Sequence, residues 1–408
     1  MVTEEIQIEG HIIDSLVLSK VLDEIVSSGG DFSIEHIQIG QKHGDRSEAT
    51  IEVSAPTAEA LGNLLARIGR LGATIRTPQE AELVPADRDG VFPEGFYSTT
   101  NLPTLVRWRG NWVPVERQEM DCGIRQDERT DSFACVAVCH VRRGDRMVVG
   151  HRGIKVIPLQ RTHQAGTFEF MNSAVSTEKP KNVIIHDIAE RMREVKEGGK
   201  KILLVGGPAI VHTGSARHVV RLIEAGYIQV IFAGNALATH DLEQTLFGTS
   251  LGIHMDRAIP VDAGHEHHLR AINTIRRCGS IRAAVEQGLV NSGIMHACVR
   301  HGVEFVLAGS IRDDGPLPEV ITDALVAQDR MREVIQAGGI GFCLMIATTL
   351  HSVATGNLLP ASIPVVCVDI SPAVVTKLAD RGSFQTVGLV TDVEPFLREL
   401  LHDLELET

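Results

Sequence analysis

The sequence predicts an α/β fold whose second half is built on a mainly parallel sheet, and three observations carry that expectation. Apolar runs of strand length recur at 202–205, 228–232, 303–307, 341–346, 365–368 and 387–390. Helical periodicity fills the intervals, as at 216–225, where Val219, Leu222 and Ile223 share one face and Gly226 follows as a stop. Unbroken apolar strands alternating with helices belong to sheets covered on both faces. Small, glycine-bearing or acidic residues then follow most of the runs: Gly206-Gly207-Pro208, Gly234-Asn235-Ala236, the loop from Gly309 to Gly315, Asp369 and Thr391-Asp392. In such sheets ligands sit outside the carboxyl ends of the strands.

The stretch from Lys201 to Ser215 reads as strand, glycine turn and helix. Glycines let a phosphate approach the backbone, and a helix N-terminus offers unbonded N–H groups. An ordinary strand-to-helix turn explains the same residues. There is no G-x-G-x-x-G, and the next strand, 227–233, ends in Gly234-Asn235 rather than in an acid. A nucleotide ribose therefore needs another partner, and Asp369, closing an apolar strand, is the candidate. The expected cofactor contacts are Gly206, Gly207, Pro208, Asn235, Ala236, Gly309, Ser310, Asp369 and Asp392.

The segment from Gly309 to Pro318 is chemically the richest. Ser310 can cap a helix or hold a phosphate, Arg312 can pair with a carboxylate or phosphate, and Asp313 and Asp314 are adjacent acids. Adjacent carboxylates repel, which raises one pKa when a ligand buries them. A solvated acidic turn ahead of Pro316 and Pro318 is the competing reading. In His265-Glu266-His267-His268 the spacing is not H-E-x-x-H, so substrate or helix-end contacts are expected and a metal is not.

Three domains are expected. Residues 1–80 run β-α-β-β-α-β, the ferredoxin-like order, serving either a ligand or packing between subunits. Residues 81–181 carry dense turns and short strands, a β-rich middle domain. Its polar clusters, 96–101 and 119–123, include Asn101, Asp121 and Cys122, which either orient an amino acid or are surface turns. Cys135 and Cys139 are expected on one face of a strand at 134–140, as core rather than metal ligands. Residues 182–408 form the parallel-sheet domain.

Net charge is −13 over 408 residues with no basic block, so no nucleic-acid role is expected. The acidic first residues lack an apolar signal segment, and the run 340–347 is too short to span a bilayer. Seven cysteines without framework spacing suit a reducing cytoplasm. The remaining expected partners are a small molecule and further copies of the same chain.

Taken together, Glu9–Ser15 with Gly29–Phe32, Phe96–Asn101, Phe170–Ser173 with Val175-Ser176, Gly206–Pro208, His265–Asn273, Leu307–Pro318 and Leu350-His351 with Thr355–Asn357 give the chain a family likeness. Along essentially its whole length it resembles the archaeal-type ornithine cyclodeaminases of the LOR/SDH-domain family. It also resembles the C-terminal half of cyanobacterial arginine dihydrolases, without their guanidine-hydrolysing domain, so arginine is not expected as a substrate. The resemblance implies an NAD-binding domain of deoxyhypusine-synthase-like type, which accounts for the missing fingerprint. Val368–Pro372 and Val390–Asp392 look like its nucleotide-binding end. It implies conversion of ornithine to proline and ammonia with NAD that is not consumed. From residue chemistry, Asp313 or Asp314 is the expected acid/base and Arg312 a carboxylate anchor. Asn101, Asp121 and Cys122 are expected on the substrate side. A net NAD-linked dehydrogenase of lysine or ornithine metabolism, and a non-catalytic amino-acid sensor holding NAD, are the competing classes.

Overall fold

A computed structural model of the chain describes residues 1–10, 12, 17–40, 47–75, 79–157, 181–250, 253–254, 259–260, 266–313, 315–380 and 386–406. They fall into two compact units, 1–165 with 359–362, and 166–358 with 363–408.

The first unit opens with a four-stranded antiparallel sheet of Val2–Gly10, Asp31–Gln38, Ser47–Ala55 and Thr74–Ile75, ordered 2-3-1-4. Helices Val17–Ser27 and Ala58–Arg70 cover one face. Alternation puts Ile6 and Ile8 against Ile51 and Ala49 on that face, where they are buried with Val21, Ile25, Leu64 and Ile68. Thr57 caps the second helix by accepting the Ala60 N–H at 3.1 Å. The β-α-β-β-α-β order expected from the sequence is the order observed.

A mixed seven-stranded sheet follows, containing Glu82–Pro85, Thr104–Trp108, Asn111–Glu116, Gly123–Asp127, Ser132–Val136, Arg146–Val149 and Ile154–Val156. Here the expectation of one strand over 134–140 is corrected. The strand stops at Val136, and Cys139 lies in a 3-10 turn, Val138–His140. Cys135 alone is core, and burial pushes its thiol up to about 12.

The second unit is built on a seven-stranded sheet in which every pairing is parallel. Numbered along the chain, its long strands are Lys201–Gly206, Val230–Gly234, Glu304–Ala308, Ile340–Ile346, Val365–Asp369 and Thr386–Val390. They lie in the order 3-2-1-4-5-6, with the short Val320–Ile321 at the edge beside the third. That is the doubly wound dinucleotide-fold order, and its topological switch point falls between the first and fourth strands. All seven residues of Ile340–Ile346 are buried, as a central strand covered on both faces requires. The closing helix Val393–Asp403 turns Phe396, Leu397, Leu400 and Leu401 into the core. Among the described residues no helix is long and apolar enough to cross a membrane.

Candidate functional site

At the switch point two backbones meet. The Gly207 N–H donates to the Ile346 carbonyl at 2.9 Å, and a Cβ on Gly207 would strike the Ala347 carbonyl oxygen. Ala347 holds φ 52°, a left-handed conformation uncommon for alanine. Gly207 is thus glycine because the fourth strand's end leaves no room for a side chain. Its N–H is spent within the sheet, and Pro208 has none to offer. Gly206 packs against Leu237 and Ile210. The turn read as a phosphate cradle acts chiefly as a junction between strands.

The second and third strand ends form one polar assembly. Gly234 leads extended into the helix Asn235–Phe247, which has no side-chain cap, and Ala236 in its first turn is exposed. Asn235 is buried and holds the neighbouring loop: its amide donates to Asp313 Oδ1 at 3.1 Å, and its carbonyl accepts from Leu317 N at 3.1 Å and Thr239 Oγ1 at 3.2 Å. Asp313 Oδ2 accepts the Ser310 N–H at 2.8 Å, and Ser310 Oγ accepts the Arg312 N–H at 3.3 Å. Asp313 therefore has both oxygens engaged in shaping the loop, Arg312 is exposed, and Asp314 lies outside the described residues. Gly309 donates its N–H to Ile321 at 2.8 Å.

His351, a residue given no role by the sequence reading, sits against this assembly. Its ring carbon Cε1 lies 3.2 Å from where a Cβ on Gly234 would be, beside the Ala308 carbonyl. Burial lowers its pKa, so the ring is neutral near pH 7. Its local signal was only its place just after the fourth strand.

At the fifth strand Asp369 is buried, and its Oδ1 accepts the Ser371 N–H at 2.8 Å. Among the described residues its second oxygen has no hydrogen-bond partner. Asp392 is the N-cap of the last helix, accepting the Glu394 N–H at 3.3 Å. Ile311, Leu350 and Ile370, which follow the third, fourth and fifth strands, are 106%, 76% and 72% exposed. Three uncovered apolar side chains on successive strand-end loops suit an apolar ring of a ligand better than they suit water. An uncapped helix N-terminus, a buried carboxylate with an unpartnered oxygen and this rim fit a bound dinucleotide.

In the first unit, the polar stretches near residues 100 and 120 are stitched together. Thr99 Oγ1 donates to the Glu119 carbonyl at 2.7 Å and accepts the Cys122 N–H at 3.0 Å, while Asp121 donates its N–H to Thr99 O at 3.1 Å. Asn101 and Cys122 are buried, whereas Asp121 is exposed with φ 60°.

The parallel order, the switch point and the polar strand ends define a doubly wound, dinucleotide-binding class of α/β protein. Family models match in three consecutive parts: the LOR/SDH bifunctional enzyme conserved region at 3–102, and the first and Rossmann-fold regions of the arginine dihydrolase ArgZ-like C-terminal part at 103–185 and 186–400. The chain is 52% identical over 406 residues to the ornithine cyclodeaminase of Methanothermobacter thermautotrophicus, covering 99% of this chain and 98% of that one. A conserved LOR/SDH protein of Methanococcus maripaludis S2 superposes with TM-score 0.75 at 50% identity, over 80% of this chain and 98% of its own. AgrE, the bifunctional arginine dihydrolase/ornithine cyclodeaminase of Nostoc sp., solved in a ternary complex with ornithine and NAD+, matches with TM-score 0.53 at 40% identity, over 99% of this chain and 57% of AgrE. The chain belongs to the ornithine cyclodeaminase family that shares the ArgZ-like C-terminal region.

Proposed function

We propose that this chain converts L-ornithine to L-proline and ammonia with a bound NAD that is not consumed. The observation that carries the reading is the 52% identity, across almost the whole of both chains, to an archaeal ornithine cyclodeaminase. The fit of the strand-end residues to a dinucleotide supports it. A bound NAD would supply a reversible hydride acceptor for the substrate α-carbon. The chain's own residues bind, orient and keep out water. Asp369 holds a ribose hydroxyl through its second oxygen, and Gly234 to Ala236 place helix N–H groups toward phosphate. Gly206, Gly207, Pro208 and Gly309 keep the strand ends close, Ser310 and Asp313 shape the loop, and Asp392 holds the last helix in place. Arg312 anchors the α-carboxylate, and Asp314 takes the proton that the α-ammonium group loses before its carbon is oxidised. In the first unit, Asn101, Asp121 and Cys122 are assigned to amino-acid contact, supported by the bonds that hold their two stretches together.

A reducing cytoplasmic setting is supported by seven free thiols. An assembly of identical copies is supported by the sheet-edge strand Asp31–Gln38, where Phe32, Ile34 and Ile37 are exposed.

Ornithine deuterated at its α-carbon tests the reaction. Proline is expected to retain the deuterium there, because the same hydride is borrowed and returned. A net dehydrogenase leaves the label in free NADH, and a sensor returns ornithine unchanged. Proline formed without label, and without added reductant, would rule out the borrowed hydride. The ribose assignment has its own test in Asp369→Ala. Losing one charge-assisted hydrogen bond costs about 1.5–3 kcal/mol, so NAD affinity is expected to fall about ten- to hundredfold by equilibrium dialysis. Unchanged affinity would remove Asp369 from the ribose.

A further inference from the structure

A second polar cluster lies beside the glycine turn, wholly within the second unit. The short helix Ala209–His212 ends in His212, and the helix Asn235–Phe247 carries His240 and Glu243. Thr249 and Ser250 follow that helix, and His267 and His268 begin the helix His267–Cys278. Glu243 is completely buried. Its Oε2 lies 2.9 Å from His240 Nδ1, and its Oε1 accepts from Thr249 Oγ1 at 2.9 Å. Thr249 Oγ1 is in turn 2.8 Å from His267 Nδ1, and His212 Nδ1 is 2.7 Å from Ser250 Oγ. The rings of His212 and His240 meet with centroids 4.6 Å apart.

A carboxylate this deep is costly to bury, and well-packed apolar side chains in its place would serve stability at least as well. The arrangement is built for protons. When Glu243 is ionised it only accepts, and Nδ1 of His240 then carries the hydrogen while Nε2 bears the lone pair. The same carboxylate stabilises the imidazolium once Nε2 is protonated, as in acid–histidine pairs of known catalytic sites. Burial and the neighbouring His240 lower the His212 pKa to about 4, so His212 is neutral near pH 7. Both imidazoles are delivered from the carboxyl ends of adjacent strands, His212 four residues beyond Pro208 and His240 five beyond Asn235.

We propose that His240, held by Glu243, is the proton shuttle of the cyclisation, an assignment that rests on the ornithine cyclodeaminase reading. Nε2 takes a proton from the δ-ammonium group, and the freed nitrogen lone pair attacks the α-iminium carbon, forming the ring C–N bond as the C=N π pair moves onto the former α-nitrogen. One proton of the attacking nitrogen moves to the former α-nitrogen, whose bond to carbon then breaks as the ring nitrogen's lone pair forms C=N. The departing ammonia takes the imidazolium's proton and leaves as ammonium, so the imidazole ends as it began.

The test uses holoenzyme with its NAD, mixed rapidly with ornithine, following nicotinamide reduction and ammonia release separately. His240→Gln is expected to keep NAD and to reduce it at a rate near wild type, while ammonia release falls about 10²–10⁴-fold. Glu243→Gln removes the partner that stabilises the imidazolium, so the acid limb of its kcat profile moves to lower pH with KM unchanged. Among the described residues, the other titratable groups facing His240 are His212 and His268, with His267 behind Thr249. Ammonia release at the wild-type rate in His240→Gln overturns the shuttle. So does loss of reduction and ammonia release in equal measure, or an unmoved pH profile in Glu243→Gln. Wild-type holoenzyme that neither reduces its nicotinamide nor releases ammonia overturns the functional reading, and the shuttle with it.

Discussion

Gly207→Ala is expected to destabilise the second unit by about 3 kcal/mol or more, the upper end of what overpacking costs. The added methyl meets backbone, the Ala347 carbonyl, and lies 3.1 Å from Thr348 Cβ. A flexible side chain could swing aside, but a strand end cannot. Ile340–Ile346 is buried at every position and hydrogen-bonded on both sides, by Lys201–Gly206 and Val365–Asp369. Ala347 is already in a strained conformation, so the collision has little slack to absorb it. Gly62→Ala is the matched control: it lies in the helix Ala58–Arg70 with nothing within 4 Å of its Cβ, and should gain up to about 1 kcal/mol. Unfolding free energies from denaturant titration within about 1 kcal/mol of each other for the two variants would show that the switch point yields.

Asp241→Ala is expected to cost about 2–4 kcal/mol, because Asp241 fastens another helix to the one that carries it. Its two oxygens accept the N–H groups of Ile294 and Met295, both at 2.8 Å, at the start of the helix Gly293–His301. Removing the carboxylate leaves two buried donors unpaired, each costing about 1–3 kcal/mol. Gly293, with φ 90°, has Asp241 Oδ1 only 2.7 Å from where its Cβ would be, so the carboxylate occupies the space a side chain would need. The pH dependence has a definite sign. Burial raises the Asp241 pKa to about 6, against the two backbone bonds that lower it, whereas an unfolded Asp titrates near about 4. Between those values the folded chain binds the extra proton, so this group's contribution is full below about pH 4 and is lost as pH rises through about 6. The stability difference between wild type and Asp241→Asn should therefore shrink by roughly 2–3 kcal/mol over that window. A difference that is flat with pH would show that Asp241 is ionised throughout.

Local periodicity carried much of the fold. The strand-and-helix alternation after residue 200 was legible because each element is long, apolar and punctuated by glycine, and the helix read at 216–225 is observed as Ala216–Glu224. The ferredoxin-like order was legible for the same reason. What the site residues do was less so. Gly207 was read through its neighbours in sequence, yet its constraint is Ala347, 140 residues away (347 − 207). Asp313 looked like a chemical acid because nothing local reveals that Asn235 and Ser310 N occupy both its oxygens. Asp392 is a capping residue ahead of an amphipathic run, a signal present in the sequence but read as a ligand contact. His240 and Glu243 are three apart on one helix, a spacing open to inspection. Thr249, Ser250 and His212, which make the pair a network, come from two other stretches of chain.

The strip Leu359–Ser362 belongs to the first unit although the residues on either side belong to the second. Its Ala361 donates to the Asn101 carbonyl at 2.8 Å and packs with Leu102 and Val156. During synthesis this fixes a schedule. Residues up to 165 leave the ribosome early, but the strip that completes them follows about 200 residues later, a wait of roughly 10–40 s at ordinary elongation rates. Until then the Asn101 carbonyl and the flank beside Leu102 stay uncovered on the nascent chain. The strands Val365–Asp369 and Thr386–Val390, which the second unit needs to close its sheet, emerge directly after the strip. The early stretch of the polypeptide thus waits for the later one, and neither unit is complete until residues 359–390 have emerged.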